Sequence, residues 1–328
     1  MQNNYISILI LTKLFFAGLT LYFFAIYLGW DMFKYPDFHS LYMNCLEMPN
    51  TNILYTQLFC GLNSILNKKI FFNSTYFIFL ATFINMLMLI GYFKMFGEHL
   101  NKYGKYLLII LFVTHPYMNV YFFRFYTDLF ASLGIFLIVF YKIKNININF
   151  FFVISALILI GFRVALIPVF FLYGLWEIYS QYSKSNNKGL YYSILLILFS
   201  ILSYVPVMEF SMSFAGINSD VNFIEKISSN IVFAFGFRES MGISREIFIF
   251  NDTIDIFSFI LSLLLLIIHS MGLYGVIKFS LKRDISILII FTYLLMPILA
   301  IAHMRYLLPL MPILLFGFTY IFFRKEKS

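Results

Sequence analysis

The chain is poor in charge, in cysteine and in the signatures of nucleotide and metal chemistry, and each shortage excludes something. Only 12% of its residues are charged, about half the share of an ordinary soluble domain. Cys45 and Cys60 are the only cysteines, too few for a disulfide scaffold or a cysteine metal cluster. The two thiols read as unpaired rather than bridged. No glycine-rich phosphate loop, no His-Glu-x-x-His and no paired Cys-x-x-Cys occurs. ATP hydrolysis and zinc chemistry are therefore unsupported, and neither a metal nor a cofactor is expected. There is no internal repeat, no low-complexity tract and no stretch that reads as a soluble domain.

What the chain has instead is apolar length. Hydrophobic residues make up 62% of it and the mean hydropathy is +0.88. Runs of about 20 apolar residues match the thickness of a bilayer core. Ten such segments are expected, at 5–29, 70–93, 106–122, 126–141, 149–162, 164–180, 189–208, 256–277, 285–302 and 306–323. The fold class is an all-α, polytopic membrane protein, one integral membrane domain over 1–328. The fifth and sixth segments are short and only Arg163 separates them, so they also read as one broken or re-entrant unit. The first run is too long for a signal peptide and lacks a small-residue cleavage site, so it reads as a retained helix.

Charge distribution orients these segments. The net charge of +8 reflects Lys/Arg-rich cytoplasmic loops rather than a nucleic-acid partner. With both termini in the cytoplasm, the inner connections and tail hold 13 basic residues against four acids, and the outer side nine against eleven. The positive-inside rule requires that sign, and the expected location is the cytoplasmic (inner) membrane, crossed many times. Two outer loops are long, 30–69 and 209–255. The first contains Asn52 to Leu66, whose apolar residues suit a helix lying on the membrane surface.

Four places concentrate polar chemistry on the outer side. Trp30 to Tyr42 (WDMFKYPDFHSLY) carries Asp31, Asp37 and His39. A carboxylate there can act as general base on a sugar hydroxyl, or it can simply solvate a loop. Arg124 and Asp128, in FFRFYTD, are four apart and can pair on one helix face. Arg124 can instead hold a lipid phosphate, whose oxygens fit the guanidinium fork. Arg163 interrupts an otherwise uncharged stretch and is followed by Pro168. An ionisable residue there points to function, although the turn between two short helices accounts for it as well. Finally, His303, Arg305 and Tyr306 precede two prolines, where phosphate binding competes with interface anchoring. Lys13 and His269 stand alone in apolar runs and read as snorkelling or satisfied polar groups.

These patches resemble the multi-spanning glycosyltransferases of the GT-C class: an acidic first outer loop (Asp31, Asp37), FFRFYTDLFASLGIFLIVFYKIK, and HMRYLLPLMPILL. The resemblance implies transfer of a sugar from a polyprenyl-phosphate carrier on the outer face, in surface polysaccharide (O-antigen-like) assembly. Asp37 or Asp31 would be the base. Arg124, Asp128, Arg163, His303, Arg305 and Tyr306 would form the phosphate and substrate site. The partners would be a lipid-linked saccharide donor, a saccharide or lipid-linked acceptor, and membrane lipids. The chain departs from the class by lacking the Asp-Glu doublet of some members and a soluble C-terminal domain. YPDFHSLY followed by an amphipathic stretch is also similar to the first loop of Wzy/EpsG-type polysaccharide polymerases. A lipid-linked saccharide transporter or flippase is the alternative of another class. Transporters place charged or broken-helix sites near the midplane, so Arg163 facing an acid at mid-depth would favour that alternative.

Overall fold

The computed structural model describes residues 2–27, 75–123, 127–214, 253–295 and 304–325, and these form an all-α bundle. In chain order the helices are α1 (Gln2–Tyr27), α2 (Thr75–Gly97), α3 (Lys102–Thr114), α4 (Pro116–Val120), α5 (Thr127–Ile143), α6 (Phe150–Phe162), α7 (Ile167–Ser183), α8 (Asn187–Phe214), α9 (Thr253–Arg283) and α10 (Met311–Phe323). Three tighter 3-10 stretches join them: Val164–Leu166, Ile285–Leu294 and Met304–Leu310.

The apolar runs form helices because a helix satisfies every backbone polar group within itself, which a lipid environment demands. Among the described residues, three stretches are long and apolar enough to cross a membrane: Ile78–Gly97, Val164–Ser183 and Phe259–Arg283. Shorter apolar helices lie at Asn4–Thr20, Phe150–Phe162, Asn187–Ser203, Ile285–Leu294 and Leu307–Phe323. The bundle's outer surface is itself apolar, with Leu11, Phe79 and Phe151 each more than two-thirds exposed. A water-soluble monomer rarely leaves so much contiguous apolar surface uncovered, so the protein is membrane-associated.

Several segments depart from single straight helices, for local reasons. The run 106–122 is two helices because Pro116 has no N–H to continue α3. The proline instead occupies the first turn of α4, where a missing donor is harmless. At 285–294 the backbone winds as a 3-10 helix, whose rise of about 2.0 Å lets ten residues cover roughly 20 Å. Pro309 lies inside the Met304–Leu310 stretch, and α10 proper begins only after it.

One end of the bundle gathers the basic connections. Lys144 reaches Glu98 at 3.4 Å, and Lys142 pairs with Glu177 and, at 3.3 Å, with Asp284. The chain end is tied to the α2–α3 connection by Asn101 N–H to Phe323 C=O (3.0 Å) and Lys325 N–H to His99 C=O (2.9 Å). The connections at 98–101, 144–149 and 284, with the end of α7 around Glu177 and Gln181, thus meet at this basic end. It follows that α1, α4, α6 and α8 finish at the opposite, far end, where α5 and α9 begin.

The closest helix packing is between α9 and α10. A Cβ placed on Gly275 would lie 1.9 Å from the Gly317 carbonyl oxygen, and one on Gly272 would lie 2.2 Å from that of Leu314. Small residues let two backbones touch in the way apolar membrane helices associate. Phe279, Phe316 and Phe96 then stack around this contact.

Candidate functional site

Asp128 and Arg163 meet at the far end. Asp128 sits in the first turn of α5, where the positive end of the helix dipole suits a carboxylate. Arg163 follows α6 in extended conformation (φ −147°, ψ 100°), and its N–H still bonds the Leu159 carbonyl. A guanidinium nitrogen of Arg163 lies 3.1 Å from Asp128 Oδ1, the two side chains being 13% and 2% exposed. The Tyr293 hydroxyl donates to the same carboxylate oxygen at 3.4 Å, and the Ser132 hydroxyl donates to the Asp128 carbonyl at 2.9 Å.

The neighbouring residues fix this pair. Phe130 and Phe162 stack face to face, 4.0 Å between centroids and 7° from parallel. They lie two residues after Asp128 and one before Arg163, so they clamp the two helix ends together. In the turn after Arg163, Leu166 fills the space over Gly134, where an added Cβ would come within 2.8 Å of the Leu166 side chain. The glycine thus lets the turn sit against α5. Breaking such a buried pair on one side typically costs about 3–5 kcal/mol, because the remaining charge is uncompensated.

Helix lengths set the depth of the pair. Thirteen residues give α6 a length of about 20 Å, against roughly 30 Å for a hydrocarbon core. By the same rise α2 (23 residues), α8 (28) and α9 (31) measure about 34, 42 and 46 Å. Arg163 therefore marks the level at which a short helix stops among longer ones. It stands at a helix end and faces an acid.

A second polar group is buried among α1, α3 and α4. Lys13 Nζ donates to the Phe112 carbonyl at 2.9 Å and to Asn119 Oδ1, and sits over the Phe122 ring. Asn119 Nδ2 in turn donates to the Val113 carbonyl at 2.8 Å. The reason is local: residue 116, which would donate to the Phe112 carbonyl in a continuous helix, is proline. Lys13 and Asn119 therefore satisfy carbonyls released by the break between α3 and α4. His115 caps that break, its Nδ1 accepting from the Met118 N–H, while its Nε2 lies 3.0 Å from His269 Nε2. With Nδ1 accepting, the His115 proton belongs on Nε2, so His115 is the neutral donor and His269 the acceptor.

Of the residues singled out in the sequence, Asp128 and Arg163 are brought together. Asp31, Asp37, His39, Arg124 and His303 lie outside the described residues, as do Cys45 and Cys60. Arg305 and Tyr306 fall in the Met304–Leu310 turn, with side chains outside the described set. Sequence reasoning missed Tyr293 and Ser132, and it treated Lys13 and His269 as isolated. The Ser132 position was legible as one turn after Asp128, and His115-Pro116 was a readable helix break. Nothing in the sequence marks Tyr293 among the 24 tyrosines.

Chemically, an arginine held by a carboxylate is oriented but carries no net charge with its partner. Attraction for a phosphate therefore has to come from further cations, with Arg163 supplying direction. Among the described residues no group of three or more His, Cys, Asp or Glu could hold a metal. No family model matches the chain, and no curated protein and no solved structure matches it.

Proposed function

We propose that the protein is a multi-pass inner-membrane glycosyltransferase that uses a polyprenyl-phosphate-linked saccharide on the outer face, in surface polysaccharide assembly. The observation that carries the reading is the buried Asp128–Arg163 pair at a helix end. It lies at the end of the bundle at which α1 finishes. In this reading Asp37, with Asp31 the alternative, accepts the proton of the acceptor hydroxyl. The acceptor oxygen bonds the anomeric carbon as the bond from that carbon to the phosphate oxygen breaks. The leaving polyprenyl phosphate keeps the electron pair, and Arg163, Arg124, His303 and Arg305 stabilise it, with Tyr306 lining the site. A positioned base contributes about 10²–10⁴-fold to such a step.

A second reading has its own support. Arg163 faces an acid, and Lys13, Asn119, His115 and His269 are buried within the apolar bundle, as in a transporter whose polar groups lie at depth. Proteoliposomes containing a polyprenyl-phosphate-linked saccharide and a saccharide acceptor separate the two readings. The transferase reading expects a new glycosidic product by mass spectrometry, abolished in Asp37→Asn or Asp31→Asn. Passage of intact donor across the bilayer without product would replace it with the transporter.

A further inference from the structure

At the basic end a cavity of about 250 Å³ opens between the α2–α3 connection, the end of α5 and the end of α9. Its polar lining is His99, Lys142, Asn145, Lys282, Arg283 and Asp284. The described acids of this end are already engaged. Asp284 accepts from the Ser286 N–H (2.9 Å), the Ser286 hydroxyl (2.6 Å) and Lys142 (3.3 Å). Glu177 accepts from Lys142 and from Gln181 (2.9 Å), and Glu98 takes Lys144.

The cations divide differently. Lys282 and Arg283 are both exposed, and among the described residues no carboxylate lies within ion-pair distance of either. Arg283 Nη2 lies 3.3 Å from His99 Nδ1; since arginine only donates, Nδ1 accepts and Nε2 carries the imidazole proton. The negative end of the α9 dipole works against an anion here. It amounts to only about half a charge, set against two full cations. Among the described residues the cavity therefore offers surplus donors and no unengaged carboxylate, which is the chemistry of an oxyanion site.

The face of α9 turned away from the cavity is apolar and exposed. Tyr274, Ile277, Leu281 and Ile285 are exposed and are spaced at three or four residues, so the first three form one stripe along the last turns of α9. The exposed apolar surface of α9 gives way to Lys282 and Arg283, which sets the two cations at the depth where lipid headgroups lie. We infer that the cavity binds a phosphate ester oxyanion, supplied by the headgroup of an anionic phospholipid of the surrounding leaflet. Free inorganic phosphate shares that chemistry and is the other possible source.

The test uses the full-length protein purified from nanodiscs of phosphatidylglycerol and phosphatidylcholine, with retained lipid counted by native mass spectrometry. Wild type is expected to retain phosphatidylglycerol over phosphatidylcholine. The double variant Lys282→Gln/Arg283→Gln should retain it about tenfold less, as the loss of charge-assisted hydrogen bonds implies. Lys102→Gln/Lys188→Gln removes two exposed lysines of the same end outside the cavity, and should leave retention unchanged. Lys282→Arg/Arg283→Lys keeps the charge and reports on folding. Added inorganic phosphate that stabilises wild type but not the Lys282→Gln/Arg283→Gln protein, with no lipid preference, would identify the free anion as the source. Equal loss in both Gln pairs would mean general attraction to a basic face, and no loss in the cavity pair would mean no site; either result overturns the inference.

Discussion

Lys13 and Pro116 are complementary: the proline withholds the N–H that the Phe112 carbonyl would accept in a continuous helix, and the lysine Nζ, 2.9 Å from that oxygen, supplies a donor in its place. The two residues are on different helices and 103 positions apart. The broken helix is thus completed by a donor that α1 carries into the bundle.

Lys13→Met keeps the stem and removes the donor, leaving the Phe112 carbonyl and Asn119 without a bond they now have. An unsatisfied buried polar group costs about 1–3 kcal/mol. The melting temperature of the detergent-purified variant should fall measurably, without the variant losing its helical circular dichroism. An unchanged melting temperature would show that the break is satisfied by other means.

How much of this was legible from the sequence differs by level. Apolar runs reveal helices because lipid leaves a backbone few other solutions, and the breaks at Arg163 and at His115-Pro116 are written in residue type. Partners are not. The four-residue spacing pointed from Asp128 to Arg124, which lies outside the described residues; the structure brings Arg163 to Asp128 from 35 positions away, because Phe130 and Phe162 bring two helix ends together. Lys13 looked isolated for the same reason, since periodicity describes one helix at a time. Asp31 and Asp37, legible as candidates, lie outside the described residues.

The α9–α10 contact predicts a sharp size limit. A methyl at Gly275 would approach the Gly317 carbonyl to 1.9 Å, and that neighbour is backbone, which cannot rotate aside. Gly275→Ala should therefore separate the helices and destabilise by about 1–3 kcal/mol, the usual range for overpacking, and Gly275→Leu should prevent stable expression. Gly18, with nothing within 4 Å of an added Cβ, should accept alanine. Fluorescence-detected size-exclusion chromatography after heating would compare the three. Equal behaviour of Gly18→Ala and Gly275→Ala would contradict the close approach.

Burial and the neighbouring Arg283 hold the His99 imidazole below its ordinary value of 6.5, with Lys144 acting in the same direction and Glu98 opposing. A depressed value means the unfolded chain binds the proton more readily. Stability is therefore full above about pH 6.5 and declines as pH falls from there towards the folded value. Asp284 adds to the decline at lower pH. Burial raises its carboxyl, but Ser286 and Lys142 outweigh this and leave it below 3.8, so its contribution is lost as pH falls through that region. Melting temperature recorded from pH 8 to pH 5 should drop in wild type and stay flatter in His99→Gln. Parallel curves would remove His99 from the account.

The Asp128–Arg163 pair permits a test that separates folding from function. Asp128→Asn leaves the guanidinium without its carboxylate and should cost about 3–5 kcal/mol, the usual penalty for half of a buried pair. Arg163→Lys keeps the charge but loses the planar fork, so stability should be largely kept while saccharide transfer falls, because a bidentate phosphate contact does not survive that change. The exchanged pair Asp128→Arg/Arg163→Asp should recover part of the stability lost in Asp128→Asn, since opposite charges again face each other. It should not recover transfer, because the guanidinium now projects from α5 rather than from the end of α6. Thermal unfolding and transfer in proteoliposomes, measured on the same preparations, decide the matter. Full transfer by the exchanged pair, or by Arg163→Lys, would make this contact a structural clasp and leave the phosphate to other residues.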